Sequence, residues 1–407
     1  MAQDTDTDKK HEDFTSWANS QGVQTNGIHP SKIPGRGIGI VADRALKAGE
    51  QLAFVPAKAL ITIDTAPTWL KINELVKPLG VPEKDVTVHG ALAAYLTTRV
   101  AEGDERLGLW RSVWPSLDDF KESMPIMWAE EYQGLLTPPA KDLLQAQQQK
   151  YLKDWQTWQS MIPSGAEKSF QYHWLIVNTR TFFWKHHGSG AKKLSKKIRR
   201  TCNDDRMVLC PFVDYFNHSD EGCTVSNTPK GFTITCDREY EAGEEVYVSY
   251  GQHDNDFLLV EYGFVLAGNK WDKTKLDSRI LPKLDKKMKR DLEENNFLGE
   301  YFLDADEIEY RTQVALRRSF WPVARWRRYL ATEDETDVEL AYVKARLWVL
   351  LTEYADEVNE MLAILNKMKP TVQRNTLVKR WEQTAEMLQV HIFRNSYQEA
   401  CPNHQHT

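Results

Sequence analysis

The sequence has few cysteines, and their spacing excludes two classes of small domain. Its 407 residues contain 5 cysteines, and no two of them have the C-x-x-C spacing of a zinc knuckle or ribbon. Five scattered thiols also cannot form the dense framework of a disulfide-stabilised domain. The cysteine content therefore predicts a reducing, intracellular environment and no metal site.

Long apolar runs and an excess of basic charge are also absent. No stretch approaches the roughly 18 consecutive apolar residues of a membrane span, and the polar, acid-rich stretch from Met1 to Asp13 is unlike a signal or transit peptide. Lysine and arginine number 52 against 58 for aspartate and glutamate, a net charge of −6. Since nucleic-acid affinity needs a basic surface, we expect no nucleic-acid partner. From the missing apolar span and targeting pattern we expect no membrane contact, and cytoplasmic and/or nuclear residence.

The apolar pattern changes three times along the chain, and it predicts an α+β protein. Short alternating runs are typical of strands, whereas long stripes at helical spacing are typical of helices. A capping box of Thr336 and Glu339 and the later Pro370 predict the two ends of one C-terminal helix. The predicted segments are 1–88 (first part of a β core), 89–206 (helical insertion with a basic loop), 207–268 (second part of the core) and 275–407 (helical domain).

Two conspicuous features of these segments have ordinary structural explanations. The 14 tryptophans lie mostly in the helical stretches, where we expect them to pack helix against helix. Six of the nine residues from Lys192 to Arg200 are lysine or arginine. This run could be a nuclear-localisation or nucleic-acid patch, but a solvated loop is the favoured interpretation.

Common catalytic motifs are missing. The sequence has no G-x-S-x-G, no P-loop and no H-E-x-x-H. Gly35, Gly37 and Gly39 do not complete a dinucleotide loop, because Ile40 stands where the third glycine of G-x-G-x-x-G is needed. These glycines predict either a structural turn or a close approach of the backbone to a ligand.

A set of short motifs is more specific in combination than singly. The run Asp214–Ser219 reads D-Y-F-N-H-S, it is followed by V-S-Y-G at 248–251, and then by Y-G-F at 262–264. Their order and spacing, with Gly37-Ile38-Gly39 upstream and Thr179-Arg180 in the helical insertion, resemble the SET-domain methyltransferases. The resemblance is to the subclass of the plant Rubisco large-subunit lysine methyltransferase and its animal and fungal relatives, and it covers about residues 30–266.

The resemblance implies a knotted β core split by a helical insertion and followed by an all-α domain on which a protein substrate docks. It implies S-adenosylmethionine as cofactor, S-adenosylhomocysteine as product, no metal ion, and Tyr250 as the catalytic tyrosine. The residues implied to hold the cofactor are Arg36, Gly37, Ile38, Arg180, Asn217, His218, Tyr250 and Phe264. The residues implied to bind the target side chain are Thr179, Asp214, Phe216 and Tyr262. The subclass often has Glu at the position of Arg36, so contact through the backbone is expected there.

These residue types suit methyl transfer to an amine. Free lysine has a pKa near 10.4, and an apolar channel beside a sulfonium disfavours its ammonium form. Tyr250 and Tyr262 offer such a wall. We therefore expect a lysine methyltransferase, and we expect it to be a monomer. Because the cysteine-rich zinc modules of histone-directed relatives are absent on both sides of the motifs, its expected substrate is a non-histone protein. Two alternatives remain at this point: a protein-histidine methyltransferase, and a non-catalytic SET-fold module that binds protein.

Overall fold

The computed structural model describes residues 2–62, 86–186 and 206–396, with side chains from Lys9 onward except at Glu105 and Arg106. The basic run of residues 192–200 lies outside the described residues, so both of its interpretations stay predictions. Among the described residues no helix is long and apolar enough to span a membrane.

Helices dominate the described part of the chain. In chain order they are α1 (Ala2–Ser20), α2 (Val88–Ala101), α3 (Glu105–Arg111), α4 (Leu117–Ser123), α5 (Glu130–Gln133), α6 (Pro138–Trp158), α7 (Glu167–Arg180), α8 (Asn255–Tyr262), α9 (Asp277–Ile280), α10 (Lys286–Glu294), α11 (Tyr310–Arg318), α12 (Val323–Thr332), α13 (Asp337–Lys367) and α14 (Val372–Arg394).

The strands are short and form several small sheets. They are β1 (Gln24–Thr25), β2 (Ile28–Ile33), β3 (Gly37–Ala42), β4 (Gln51–Pro56), β5 (Thr181–Phe183), β6 (Met207–Leu209), β7 (His218–Thr228), β8 (Gly231–Thr235), β9 (Glu245–Val246), β10 (Lys273–Lys275) and β11 (Phe302–Asp304). The sheet orders are β1-β4-β8-β7, β2-β3-β9, β5-β6 and β10-β11.

The chain divides into two compact units. The first contains residues 1–121 and 145–252, and the second contains residues 122–144 and 253–407. The two units are groups of residues that contact one another in space. The four segments predicted from the sequence are stretches of the chain, and their bounds stay a prediction. All the sheets except β10-β11 belong to the first unit.

The first unit combines antiparallel strand pairs with helices that pack through aromatic side chains. Strand β8 pairs with β4 on one side and β7 on the other, with Ile234 opposite both Ala53 and Val225. Helices α2 and α7 pack against each other, and Trp110, Trp158 and Trp174 are almost completely buried. These three tryptophans are thus part of the core between the helices, as their position in the sequence predicts.

Helix α7 ends earlier than the aromatic stretch around it. This stretch belongs to the predicted helical insertion of residues 89–206, but the chain becomes extended at Thr181 and forms β5, which pairs with β6. The run Thr181-Phe182-Phe183 is β-branched and aromatic, which suits a strand better than a helix. Arg180 therefore occupies the last position of the helix.

The second unit is helical around one apolar core. Helices α13 and α14 pack together, and their buried faces include Leu351, Tyr354, Val358 and Leu388. The capping box of Thr336 and Glu339 forms as predicted. The two-stranded sheet β10-β11 is an addition that helical periodicity did not indicate, because strands of three residues are too short to leave a period.

A buried arginine of α14 pairs with two carboxylates of the same unit. Arg380 is 1% exposed, and its Nε and Nη2 donate to the two oxygens of Asp256 at 2.8 and 3.0 Å. Its Nη1 donates to Asp272 Oδ2 at 2.9 Å. Thr137 donates to the same Asp256 carboxylate at 2.5 Å. The guanidinium therefore compensates two carboxylates that burial would otherwise penalise.

Replacing this guanidinium should be strongly destabilising. We expect Arg380→Met to lower the free energy of unfolding by about 3–5 kcal/mol, because it leaves Asp256 and Asp272 buried without their cation. Denaturant unfolding followed by circular dichroism measures the loss. The matched control is Arg328→Met, whose ion pair with Asp334 is more than 60% exposed on both sides and should contribute less than about 1 kcal/mol. Equal losses in the two variants would contradict this account.

Candidate active site

The glycine-rich segment forms a turn that enters β3. Gly35 and Gly37 have φ of 75° and 77°, in the left-handed region that favours glycine, and Arg36 N donates to Ile33 O at 3.0 Å. Ile38 follows in register with Lys32 of β2. Arg36, Gly37 and Ile38 therefore lie together at the start of one strand, as their sequence positions require.

Gly39 has a different reason to be glycine. A Cβ at this position would lie 2.6 Å from Glu245 Oε1 and 2.8 Å from Asn217 Nδ2. Those two atoms bond to each other, with Asn217 Nδ2 donating to Glu245 Oε1 at 2.8 Å. Only a residue without a side chain leaves room for this pair against β3.

The Asn217-His218 segment is brought to Tyr250 by a short parallel pairing. His218 and Cys223 of β7 both form parallel bridges with Val248, and Val248 N donates to Asn217 O at 3.1 Å. Two residues beyond Val248 lies Tyr250. The two motifs, some thirty residues apart in the sequence, thus meet side by side in the first unit.

Tyr250 is held at both ends. Its backbone N–H donates to His218 Nδ1 at 3.1 Å, and its hydroxyl donates to Phe216 O at 2.7 Å. The rings of His218 and Tyr250 stack with centroids 5.0 Å apart. Because Nδ1 accepts, the neutral His218 ring carries its proton on Nε2. The tyrosine hydroxyl keeps acceptor capacity while its proton is directed to a carbonyl.

Arg180 and Asp214 form a partly satisfied pair beside this segment. Arg180 Nη1 donates to Asp214 O at 2.6 Å and lies 3.6 Å from Asp214 Oδ2, which also accepts from Trp110 Nε1 at 3.0 Å. The carboxylate is only 3% exposed, and burial raises the pKa of Asp214. Arg180 Nε is buried without a hydrogen-bond partner among the described residues. A buried orphan donor on a cation suits an anionic group of a ligand.

Two other predicted residues have contacts of their own. The Phe216 side chain is 1% exposed, and its carbonyl is the acceptor for Tyr250. Thr179 donates its hydroxyl proton to Leu175 O at 2.8 Å within α7. The role of Phe216, Thr179 and Asp214 toward a target side chain stays a prediction.

Tyr262 and Phe264 belong to the second unit. Helix α8 begins at the N-cap Asp254, whose side chain accepts from Phe257 N, and ends at Gly263 with φ of 84°. The rings of Tyr262 and Phe264, on either side of this glycine, have centroids 6.4 Å apart, and burial raises the pKa of Tyr262 to about 12. Their predicted roles, at the target channel and the cofactor, stay predictions.

Sequence reasoning missed Glu245 and Tyr247. Glu245 is 11% exposed, accepts from Asn217, and also accepts from the Tyr247 hydroxyl at 2.7 Å. Arg36 Nη1 donates to the Tyr247 oxygen at 2.7 Å and lies 3.5 Å from Glu245 Oε2. A glutamate after a turn ordinarily indicates a solvated position. Nothing in the sequence therefore indicated that Glu245 and Tyr247 would contact Asn217 and Arg36.

One group of possible metal ligands exists among the described residues. The thiols of Cys223 and Cys236 and the carboxylate of Asp237 lie within 4.8 Å of one another. Burial raises the pKa of Cys223 to about 12, and its thiol donates to Asp237 Oδ1 at 3.2 Å. These contacts suit protonated thiols, and the expectation of a metal-free protein stays a prediction.

Comparison with known proteins adds two family matches. The SET domain model matches residues 37–251. A second model, described as the ribosomal lysine N-methyltransferase 2 C-terminal domain, matches residues 272–394. The first match spans the whole segment from β3 to the residue after Tyr250.

The chain is also similar to individual proteins. It is 26% identical over 337 residues to ribosomal lysine N-methyltransferase 2 of Saccharomyces cerevisiae, covering 69% of this chain and 67% of that protein. It is 31% identical over 215 residues to ribosomal lysine N-methyltransferase set11 of Schizosaccharomyces pombe, covering 48% of this chain and 52% of that protein.

A solved structure of Rubisco LSMT bound to sinefungin and monomethyllysine has a TM-score of 0.64 and 17% identity, and the match covers 96% of this chain and 92% of that one. Together with the SET domain match, this likeness confirms the predicted fold class, an α+β protein with a SET-type core and a helical C-terminal region.

The packing at Gly39 can be tested directly. We expect Gly39→Ala to destabilise the protein by about 1–3 kcal/mol, because its Cβ overpacks the Asn217–Glu245 pair. Gly108→Ala is the control, since nothing lies within 4 Å of a Cβ built there on the exposed side of α3, and alanine favours a helix. Thermal unfolding compares the two. A Gly39→Ala protein as stable as Gly108→Ala would show that the pair is not tightly packed.

Proposed function

The chain belongs to the SET-domain family and is an S-adenosylmethionine-dependent protein-lysine methyltransferase, and we propose that its substrate is a protein of the ribosome. The observation that carries the chemistry is the arrangement of Tyr250, held between His218 and the Phe216 carbonyl. The substrate proposal is supported by the C-terminal domain match over residues 272–394 and by the names of the two fungal relatives.

The residues of the first unit fit the cofactor. Arg180 Nε is a buried donor without a protein partner among the described residues, and it would bind the carboxylate of S-adenosylmethionine. Asn217 and His218 would bind the same molecule next to Tyr250, and the backbone from Arg36 to Ile38 would line the other side. When bound, the cofactor supplies a methyl group activated by the sulfonium charge.

Tyr250 acts in this chemistry as an acceptor. Its hydroxyl proton is directed to the Phe216 carbonyl, so its oxygen can accept an N–H of the neutral lysine amine and hold the nitrogen lone pair in line with the methyl group. Orientation of this kind can supply about 7–11 kcal/mol of the rate enhancement. Tyr250 therefore positions the amine and needs no ionised form.

Removing the Tyr250 hydroxyl should separate binding from turnover. We expect Tyr250→Phe to reduce methylation of ribosomal proteins by about a hundredfold or more, while calorimetry with S-adenosylhomocysteine shows binding close to wild type. The assay uses labelled S-adenosylmethionine with isolated ribosomal proteins, and mass spectrometry identifies the modified residue. Tyr240→Phe is the matched control, since it also removes a buried hydroxyl, which donates to Asp237 at 2.8 Å.

The outcomes distinguish the substrate from the activity. Labelling of ribosomal proteins by wild type and Tyr240→Phe, but not by Tyr250→Phe, supports both. Methyl-histidine in place of methyl-lysine would favour the histidine alternative, which the lysine-directed relatives make the weaker one. Labelling of histones alone would overturn the ribosomal substrate. Undiminished labelling by Tyr250→Phe would overturn the role of Tyr250. If no protein is labelled at all, the proposed activity is overturned, and the alternative of a non-catalytic module that binds protein is favoured.

The helical C-terminal domain is the proposed docking site for this protein substrate. Helix α13 carries exposed apolar side chains on the face opposite its packed side, among them Val338 at 80%, Tyr342 at 50% and Val349 at 43% exposure. Their spacing of four and seven residues forms one stripe. The helix has six acidic and three basic residues, which suits a basic partner such as a ribosomal protein.

A charge placed in this stripe should weaken docking without affecting chemistry. We expect Val349→Glu to raise the KM for the protein substrate by about tenfold, with kcat at saturating substrate unchanged. Leu152→Glu is the control, because Leu152 is a similarly exposed apolar residue on the part of α6 that belongs to the first unit. Steady-state kinetics on the identified ribosomal protein measures both. An unchanged KM in Val349→Glu would place docking elsewhere.

Two further expectations accompany this function. The enzyme acts as a monomer, since one chain carries every residue to which a role is assigned. Its residence is cytoplasmic and/or nuclear, where ribosomal proteins are made and assembled. Both stay proposals.

A further inference from the structure

We propose that Glu245 is a positioning residue for the cofactor, because its carboxylate determines which way the side-chain amide of Asn217 points. This inference rests on the proposed function, in which Asn217 binds S-adenosylmethionine. It concerns a residue that contacts Asn217 and not the reacting atoms.

The hydrogen bond between the two residues has a fixed direction. An ionised carboxylate can only accept, whereas an asparagine amide has one donor group and one acceptor oxygen. Asn217 Nδ2 donates to Glu245 Oε1 at 2.8 Å. The amide oxygen, Oδ1, must therefore point away from Glu245, and it has no hydrogen-bond donor within the described ranges. An oriented oxygen of this kind suits a cationic donor such as the α-ammonium of an amino-acid moiety.

The carboxylate is itself anchored from the other side. Glu245 Oε2 accepts from the Tyr247 hydroxyl at 2.7 Å and lies 3.5 Å from Arg36 Nη1. Arg36 Nη1 also donates to the Tyr247 oxygen at 2.7 Å. Each oxygen of Glu245 is thus committed, one to Asn217 and one to this anchor, so the side chain cannot turn without losing both sets of contacts.

The surrounding backbone prevents the amide from moving. The pair lies against Gly39, where a Cβ would come within 3 Å of both side chains. Glu245 of β9 is in register with Val41 of β3, the strand that contains Gly39. Val248 N donates to the Asn217 carbonyl at 3.1 Å. With its backbone and its amide nitrogen both bound, Asn217 has one acceptor to offer and one direction in which to offer it. This preorganisation lowers the entropy lost when a ligand binds.

Glu245→Gln tests the direction of the bond at constant shape. Glutamine can accept from Asn217 Nδ2 or donate to its oxygen, so both orientations of the Asn217 amide become available. We expect the dissociation constant of S-adenosylhomocysteine to rise by about three- to tenfold, which corresponds to the net strength of one hydrogen bond. At saturating cofactor we expect kcat to stay close to wild type.

A double-mutant cycle shows whether Glu245 acts through Asn217. In the Asn217→Ala background, Glu245→Gln should cause no further rise in the dissociation constant, whereas effects of independent residues would add. Glu244→Gln is the matched control. It is the adjacent glutamate, it pairs with Arg238 at 2.6 Å, and its replacement should leave cofactor binding at the wild-type value.

Isothermal titration calorimetry of the full chain with S-adenosylhomocysteine gives every one of these constants. A selective loss of affinity in Glu245→Gln that disappears in the Asn217→Ala background supports the proposal. Wild-type affinity in Glu245→Gln, or a loss that adds to that of Asn217→Ala, would overturn it while leaving the proposed function intact. A wild-type protein that binds no S-adenosylhomocysteine would overturn both.

Discussion

The parallel pairing of β7 with Val248 is the contact on which the proposed site depends. It aligns two chain segments so that the His218 ring meets the backbone N–H of Tyr250 and the Phe216 carbonyl meets its hydroxyl. Both donors of the tyrosine are thereby committed to the protein. These contacts hold the ring in place, and in the proposed function its hydroxyl oxygen accepts from the lysine amine. Rigid placement of this kind is what an in-line displacement needs.

Two arginines with buried donor atoms differ in how those donors are satisfied. Arg380 in the second unit directs Nε, Nη1 and Nη2 to carboxylates, and it is 1% exposed. Arg180 in the first unit uses Nη1 for the backbone of Asp214 and leaves Nε buried with no partner in the described part of the chain. An unsatisfied buried donor has a cost that a folded protein seldom retains without reason. The contacts of Arg380 are therefore structural, whereas the open donor of Arg180 supports the proposal that it binds a ligand.

How much could be predicted depended on how local the signal was. The capping box at Thr336 and the apolar stripe after it predicted α13 closely, because a helix is specified by residues three and four positions apart. The strands β10 and β11 were missed because three residues carry no period. Strand β5 was missed too, because Phe182 and Phe183 are compatible with a buried helix until pairing with β6 makes them a strand.

By itself the sequence determined the fold class and the principal members of the proposed site, since Asn217, His218 and Tyr250 lie in short motifs whose order and spacing are visible without a structure. Only the tertiary structure decided that Glu245 holds the Asn217 amide and that Gly39 makes room for the pair. The physical reason is distance along the chain. A hydrogen bond between strands leaves no pattern in either strand, so its partners become evident only when the sheet brings them together.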